Sequence, residues 1–173
     1  DYMAKKAIVM GATSGIGMEV AKLLATKGWQ VGIAGRRIER LQALISQGGI
    51  TCYQQIDVTS PDAPAQLLEL IEKLGGMDLY FHSSGIGWQN NSLDIEKELK
   101  TLETNGLGFT RMVDTAFNWF ATHHHCNPKA RIACITSIAG TKGLGAAPAY
   151  SATKRFQNHY LECLSQQARM RHL

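Results

Sequence analysis

The sequence lacks several features that define common protein classes. Only 18% of the residues are charged, and a net charge of +4 is scattered rather than collected in one basic stripe, so we expect no nucleic-acid partner. No run of about 18 apolar residues could cross a membrane, and the N-terminus shows no apolar stretch that ends at a small-residue cleavage site. The four cysteines form no C-x-x-C pair. We therefore expect a cytoplasmic protein with reduced thiols and no metal site.

Apolar residues, in contrast, are plentiful: they make up 45% of the 173 residues. This proportion argues against intrinsic disorder and suffices for the core of one domain over residues 1–173. Short apolar runs alternate with segments of helical periodicity. The runs predict strands at 7–10, 29–34, 51–56, 78–82 and 130–136, and the periodic segments predict helices at 16–27, 38–45, 63–74, 101–122 and 150–169. The alternation predicts a three-layer α/β/α fold with a doubly wound, Rossmann-type parallel sheet.

A glycine-rich turn joins the first predicted strand to the first predicted helix. Gly11 permits a tight turn, Gly15 lets the backbone approach a pyrophosphate, and Gly17 lets helix and strand pack closely. The free N–H groups at the start of the helix favour an anion. In this strand–turn–helix context the pattern predicts a dinucleotide site. The residues that we expect to bind the cofactor here are Gly11, Thr13, Ser14, Gly15, Ile16 and Gly17.

The end of the second predicted strand indicates which dinucleotide is bound. An acidic residue about 20 positions beyond the glycine turn would hold the ribose of NAD. The sequence instead has Gly35 followed by Arg36 and Arg37. A guanidinium matches a ribose 2′-phosphate in a planar fork, so NADP is favoured over NAD. The alternative, that both arginines are solvated residues before a surface helix, suits Arg37 better than Arg36. Past the third strand, Asp57-Val58 is predicted to lie beside the adenine.

A tyrosine and a lysine are the candidate reacting groups. Tyr150 and Lys154 lie four residues apart in a predicted helix, and hence on one face. A phenol is a poor acid–base group at neutral pH unless a neighbouring cation stabilises its phenolate, and Lys154 supplies that cation. Ser137 follows the fifth predicted strand, at a carboxyl end where this fold places its chemistry.

With these motifs in view, the chain resembles the classical short-chain dehydrogenase/reductase family along essentially its whole length. Residues 11–17 match the family's glycine motif, and Asp57-Val58 matches its adenine-side pair. Residues 135–137 and 150–154 match its catalytic segment, including the step of thirteen residues from Ser137 to Tyr150. Asn105, with Gly108 three residues on, looks like the family's helix asparagine.

The resemblance implies an oxidoreductase that interconverts a small carbonyl and a secondary alcohol, with the hydride carried by a nicotinamide. Tyr150 would exchange the proton with the substrate oxygen, and Ser137 would hydrogen-bond that oxygen. Lys154 would stabilise the tyrosinate and hold the ribose, and Tyr150 would also contact the cofactor. Asn105 would support a water-linked proton relay. Homodimers or homotetramers are also expected from the resemblance.

Two departures from the family pattern stand out. The segment His82-Ser83-Ser84-Gly85 replaces the usual Asn-Ala-Gly after the fourth strand; Ser84 and Gly85 are still expected to contact the cofactor, with altered support for the loop. The family also has two further strands after the Tyr-Lys helix. We therefore expect the sequence to be incomplete at its C-terminus, because the fifth strand would otherwise be an exposed edge.

Two other functions stay open at this point. An epimerase or dehydratase of the extended branch also uses Tyr-x-x-x-Lys, but its usual G-x-x-G-x-x-G spacing differs from the G-x-x-x-G-x-G of this chain. A dinucleotide-binding regulator without catalysis would tend to lose the tyrosine or the lysine, and both are present here.

Two further patterns favour structural roles. The run His123-His124-His125 invites a metal site, but consecutive helix residues point about 100° apart, whereas helical ligand pairs need the spacing i, i+4. An apolar helical stripe is predicted to be core, although relatives commonly assemble through this helix. Its members are Met112, Val113, Ala116, Phe117 and Phe120.

Overall fold

The structure, a computed structural model, describes residues 3–13, 15–125, 128–135, 140 and 143–173. Ser14 and Ser137, two of the predicted site residues, lie outside this description. The strands are β1 Lys6–Met10, β2 Gln30–Gly35, β3 Cys52–Gln55, β4 Leu79–His82 and β5 Arg131–Cys134. The helices are α1 Gly15–Thr26, α2 Ile38–Ser46, α3 Ala63–Leu74, α4 Ile95–Leu102, a π-helical turn Glu103–Gly108, α5 Phe109–Thr122 and α6 Pro148–Met170.

The chain divides into two compact units, which we describe separately. The first unit comprises Asp1–Ser84 and Arg111–Cys134, and the second comprises Gly85–Thr110 and Ile135–Leu173. All the strands given above belong to the first unit. The single domain predicted over residues 1–173 stays a prediction.

The sheet of the first unit is parallel throughout, in the order β3-β2-β1-β4-β5. The central strand β1 pairs with β2 from Lys6↔Gln30 to Met10↔Ala34, and with β4 from Ala7↔Leu79 to Met10↔His82. Because the strands run the same way, the residues that follow β1, β2, β3 and β4 meet at one edge of the sheet. This arrangement confirms the predicted Rossmann-type sheet and gathers the predicted cofactor residues of this unit.

Helices cover both faces of the sheet in the first unit. On one face, Val9, Val31 and Ile33 form a buried cluster with side chains of α1 and α2. On the other face, β2 presents Gly32, where an added Cβ would lie 2.9 Å from Ile8 Cδ1 and 3.3 Å from Leu70 Cδ1 of α3. Burial on both faces explains why β1 and β2 are apolar runs rather than alternating ones.

The second unit contains α4, the π-helical turn and α6. The helix predicted to begin at residue 101 begins at Ile95 instead, and this part of the prediction is wrong. Asp94 caps it, since its side chain accepts a hydrogen bond from the Glu96 amide at 3.0 Å. Ile95, Leu99 and Leu102 recur at helical spacing, although they are 68%, 53% and 46% exposed. The pattern for this earlier start was therefore present in the sequence.

Among the described residues, the longest and most apolar helices still fall short of what a membrane crossing requires.

Candidate active and cofactor sites

The glycine turn of the first unit is fastened to the end of β2. The amides of Gly11 and Ala12 both donate to the Ala34 carbonyl oxygen, at 2.9 and 3.1 Å. Gly11 has φ +82°, in the left-handed region that favours glycine. A Cβ added there would lie 2.7 Å from the Ser84 amide nitrogen, so the backbone after β4 packs directly on the turn.

The other two glycines of the turn differ in their surroundings. A Cβ on Gly17 would press on the backbone of Gly11, 3.0 Å from its carbonyl carbon. Gly15 begins α1 with φ +62°, and a Cβ there would meet nothing within 4 Å. The start of α1 is thus open to an approaching anion, and its N–H groups and dipole favour one. Thr13 is buried, and Ile16 is exposed.

At the end of β2, a small residue precedes two exposed cations. Gly35 is packed so that a Cβ would lie 2.7 Å from Thr13 Cγ2. Arg36 and Arg37 are both exposed, and no carboxylate in the described part of the chain pairs with either guanidinium. The Arg36 carbonyl is held by Gln55 Nε2 at 2.9 Å. Two cations therefore stand at the sheet edge where the ribose substituent was predicted.

After β3, the side chain of Asp57 stabilises a turn of the chain. Asp57 Oδ1 accepts from the amide of Thr59 at 2.9 Å and from its hydroxyl at 2.7 Å. Val58 is buried, and its carbonyl oxygen lies 3.4 Å from Arg111 Nη1. Asp57 is exposed two residues beyond β3, and its place beside the adenine stays a prediction.

The sequence departure at His82 predicts altered support for the loop after β4, and the contacts of His82 provide that support. His82 is 1% exposed; its Nδ1 lies 2.8 Å from the Tyr80 hydroxyl, and its Nε2 lies 3.1 Å from the Ser84 carbonyl oxygen. Burial raises the pKa of Tyr80 well above its usual value of 10.0. The neutral phenol and the imidazole therefore form a buried polar pair under Ser84.

In the second unit, α6 carries the predicted reacting pair. Lys154 is 9% exposed, and its Nζ lies 5.8 Å from the ring centroid of Tyr150. At this distance the ammonium is within the range of a cation–π contact with the ring. An added Cβ at Gly85 would lie 3.5 Å from Lys154 Nζ, so the loop backbone approaches the ammonium.

Asn105 lies in the π-helical turn and is completely buried. Its Oδ1 accepts from the Ile86 amide at 2.9 Å, and its Nδ2 donates to the Ile86 carbonyl at 2.7 Å and to Thr153 Oγ1 at 3.2 Å. One side chain thus ties the loop after Gly85 to α6, one residue before Lys154. π-helical turns occur often at functional sites, and this one aims Asn105 at both partners.

Three residues that contribute to this site were not predicted from the sequence, and the first is Gln157. It is 1% exposed, one turn beyond Lys154. Its Nε2 donates to the Asn105 carbonyl oxygen at 3.0 Å, and its Oε1 accepts from Lys154 Nζ at 3.3 Å.

The second is Glu98 of α4. The residue before α6, Ala147, makes no capping bond with its own side chain. Glu98 Oε2 instead accepts from the Ala149 amide at 2.8 Å, while its Oε1 accepts from Asn90 Nδ2 at 3.0 Å. A carboxylate from another helix therefore satisfies the start of α6, next to Tyr150.

The third is Gly87, whose lack of a side chain makes room for the ring of Tyr150. A Cβ at Gly87 would lie 2.7 Å from Cγ and 3.0 Å from Cε2 of Tyr150. The loop backbone thus packs directly on this ring.

The structure brings the predicted residues together in two sets. The first unit gathers Gly11, Thr13, Gly15, Ile16, Gly17, Arg36, Arg37, Asp57, Val58 and Ser84, and the second gathers Gly85, Asn105, Tyr150 and Lys154.

In the predicted core stripe, Met112, Val113 and Ala116 are completely buried, and Phe117 and Phe120 are half-buried. His123 stacks on Trp119 with ring centroids 3.9 Å apart, and the described residues contain no group of three His, Cys, Asp or Glu placed to hold a metal ion.

Comparison with known proteins gives consistent matches. The family model described as short chain dehydrogenase matches residues 5–172. An uncharacterized oxidoreductase of Myxococcus xanthus is 31% identical over 167 residues, covering 92% of this chain and 64% of that protein. A crystal structure of an actinorhodin polyketide ketoreductase variant with NADPH has a TM-score of 0.84 at 28% identity, covering 95% of this chain and 65% of that one. A short-chain type dehydrogenase/reductase from Mycobacterium marinum has a TM-score of 0.83 at 25% identity, covering 95% and 69%. The chain thus spans about two thirds of the length of these relatives.

Proposed function

The chain belongs to the short-chain dehydrogenase family, and from that premise we propose that it is an NADP(H)-dependent oxidoreductase that interconverts a carbonyl and a secondary alcohol. The observation that carries this proposal is the arrangement on α6. A tyrosine ring lies 5.8 Å from a buried ammonium, and Asn105 fixes the loop that packs against both.

Tyr150 acts in this proposal as the general acid and base. In the direction of reduction its hydroxyl donates a proton to the substrate oxygen, and in oxidation the tyrosinate removes it. Lys154 makes this exchange possible near neutral pH because its charge stabilises the tyrosinate in a partly dehydrated position. Ser137 keeps its expected role as the hydrogen-bond partner of the substrate oxygen.

The residues of the first unit fit a dinucleotide. Gly15 leaves the start of α1 uncovered, so its N–H groups would hold the pyrophosphate, with Asp57 and Val58 beside the adenine. When bound, the nicotinamide would supply or accept the hydride.

The preference for NADP is supported by the end of β2. Arg36 and Arg37 are exposed, and Gly35 offers no carboxylate to repel a 2′-phosphate. A charge-assisted bond to a phosphate contributes about 1.5–3 kcal/mol, so Arg36→Ala should weaken NADPH binding about 10- to 100-fold and leave NADH binding unchanged. Arg40→Ala, at an exposed position of α2, is the matched control. Equal losses for both cofactors would contradict the NADP assignment.

The central test is the variant Tyr150→Phe in full-length protein. Turnover of a panel of ketones and aldehydes should fall at least a hundredfold, in the range of a lost general acid, while NADPH affinity measured by fluorescence titration stays the same. Tyr160→Phe on the same helix is the control. Undiminished turnover in Tyr150→Phe would refute the assigned acid. NADPH binding by the unaltered protein without turnover of any carbonyl would favour the regulator instead.

Association into homodimers or homotetramers also belongs to this proposal, as does a cytoplasmic location. Sedimentation equilibrium of the full-length protein would measure the oligomeric state directly, and a concentration-independent monomer would contradict it.

A further inference from the structure

Gln157 joins two groups on which the proposed chemistry depends. It is buried on α6, and each end of its side-chain amide is used: Nε2 donates to the Asn105 main-chain oxygen, and Oε1 accepts from the Lys154 ammonium. A buried amide is costly unless its polar atoms are hydrogen-bonded. Simple packing between two helical segments would be served better by an apolar side chain of this size.

The acceptor that Gln157 offers to Lys154 is neutral. No carboxylate of the described residues pairs with this ammonium. A carboxylate in the same place would hold the ammonium more tightly, but it would cancel most of the charge that stabilises a tyrosinate on Tyr150. An amide fixes the position of Nζ and leaves its charge intact.

We propose that Gln157 is a positioning residue for the proton-transfer site, holding the Lys154 ammonium through a neutral hydrogen bond and linking it directly to the Asn105 carbonyl. This inference rests on the proposed roles of Tyr150 and Lys154.

The described surroundings of the pair contain few other charges. From α4, Glu98 approaches α6 at the Ala149 amide. The π-helical turn contributes Glu103, which is exposed. From the loop after β4, Gly85 contacts Lys154 and Gly87 contacts Tyr150. Neither glycine has a titratable side chain. A new charge at position 157 would therefore be the closest one to Lys154 among these groups.

The test compares two substitutions of similar size. Gln157→Glu keeps the shape and adds a negative charge, whereas Gln157→Met keeps the length and removes both hydrogen bonds. Gln166→Glu, exposed on the same helix, is the control for added charge. In each protein the tyrosinate of Tyr150 is titrated by ultraviolet difference absorbance, with the corresponding Tyr150→Phe protein subtracted, and thermal unfolding reports whether the chain is folded.

Gln157→Glu should move the Tyr150 titration to higher pH by on the order of one unit, because a negative charge beside the ammonium opposes formation of a tyrosinate. The pH profile of kcat for alcohol oxidation should move with it. Gln157→Met should lower kcat/KM about tenfold, as expected for a lost bond to a charged group, with a smaller shift in titration. Gln166→Glu should change neither.

The titration needs neither cofactor nor substrate, so it separates this inference from the proposed function. A shift in Gln157→Glu without turnover of any carbonyl would sustain the role of Gln157 and refute the proposed reaction. Normal turnover with the same titration midpoint in Gln157→Glu, Gln166→Glu and the unaltered protein would overturn the role of Gln157. If Gln157→Met fails to fold, the isosteric glutamate variant still decides between these outcomes.

Discussion

Replacing Gly87 by alanine should displace the reacting ring without touching its chemistry. The new Cβ would lie 2.7 Å from Tyr150 Cγ, whereas ordinary contact begins at 3.4 Å. The ring or the loop must therefore move by at least 0.7 Å. Because a misplacement of about 1 Å costs roughly a hundredfold in rate, we expect kcat/KM to fall between about tenfold and a hundredfold.

The assay is NADPH consumption with the best carbonyl of the panel, followed over substrate concentration. NADPH affinity, measured in parallel by fluorescence titration, shows whether the displaced loop also disturbs the cofactor contacts expected at Ser84, Gly85 and Lys154. Gly106→Ala is the matched control, because an added Cβ there meets nothing within 4 Å. A Gly87→Ala protein with the same thermal stability and kcat/KM within threefold of the unaltered protein would show that the ring is not held where this contact places it.

Three further predictions concern stability. Glu98→Ala should lower the free energy of unfolding by about 1–2 kcal/mol, because the Ala149 amide loses its acceptor; Glu98→Gln should recover part of the loss in urea denaturation, and equal losses would argue against the hydrogen bond. Gly17→Ala should cost about 1–3 kcal/mol by overpacking against Gly11 and should weaken NADPH binding; calorimetry and a binding titration measure the two effects, and a neutral result would refute the crowding. Burial raises the pKa of Tyr80 above 10.0, so the unfolded chain releases the phenolic proton at lower pH than the folded protein does. The stability that the neutral Tyr80 contributes is therefore fully present below pH 10 and is lost as the pH rises toward the folded pKa. Tyr80→Phe should accordingly flatten the alkaline decline of unfolding free energy, and an equally steep decline would exclude this cause.

The elements that the sequence predicted well are those whose signal is local. Helix α3 has the predicted bounds, Ala63–Leu74, and each of the five predicted strands overlaps an observed one. Buried parallel strands appear in the sequence as continuous apolar runs, and the glycine turn appears as a fixed spacing of glycines. The candidate site residues on these elements could be placed for the same reason.

What escaped prediction depends on contacts between distant segments. Gln157 bonds to a carbonyl 52 residues away, and Glu98 to an amide 51 residues away. A glutamine on one helix and a glutamate on another carry no pattern that distinguishes them from surface residues. For the first turn of α4 the local signals did exist, in the capping residue Asp94 and in the helical spacing of Ile95 and Leu99, and the prediction overlooked them.

The crowding between Gly35 and Thr13 bears on how cofactor choice could be re-engineered. An aspartate introduced at position 35 to recruit NAD would drive its first side-chain carbon into the methyl group of Thr13, 2.7 Å away. The same threonine follows Gly11 and Ala12, whose amides share the Ala34 carbonyl, so the strain would also reach the backbone that is proposed to bind the pyrophosphate. A designer would have to shorten position 13 to alanine or glycine first, and only then exchange the residue that meets the ribose.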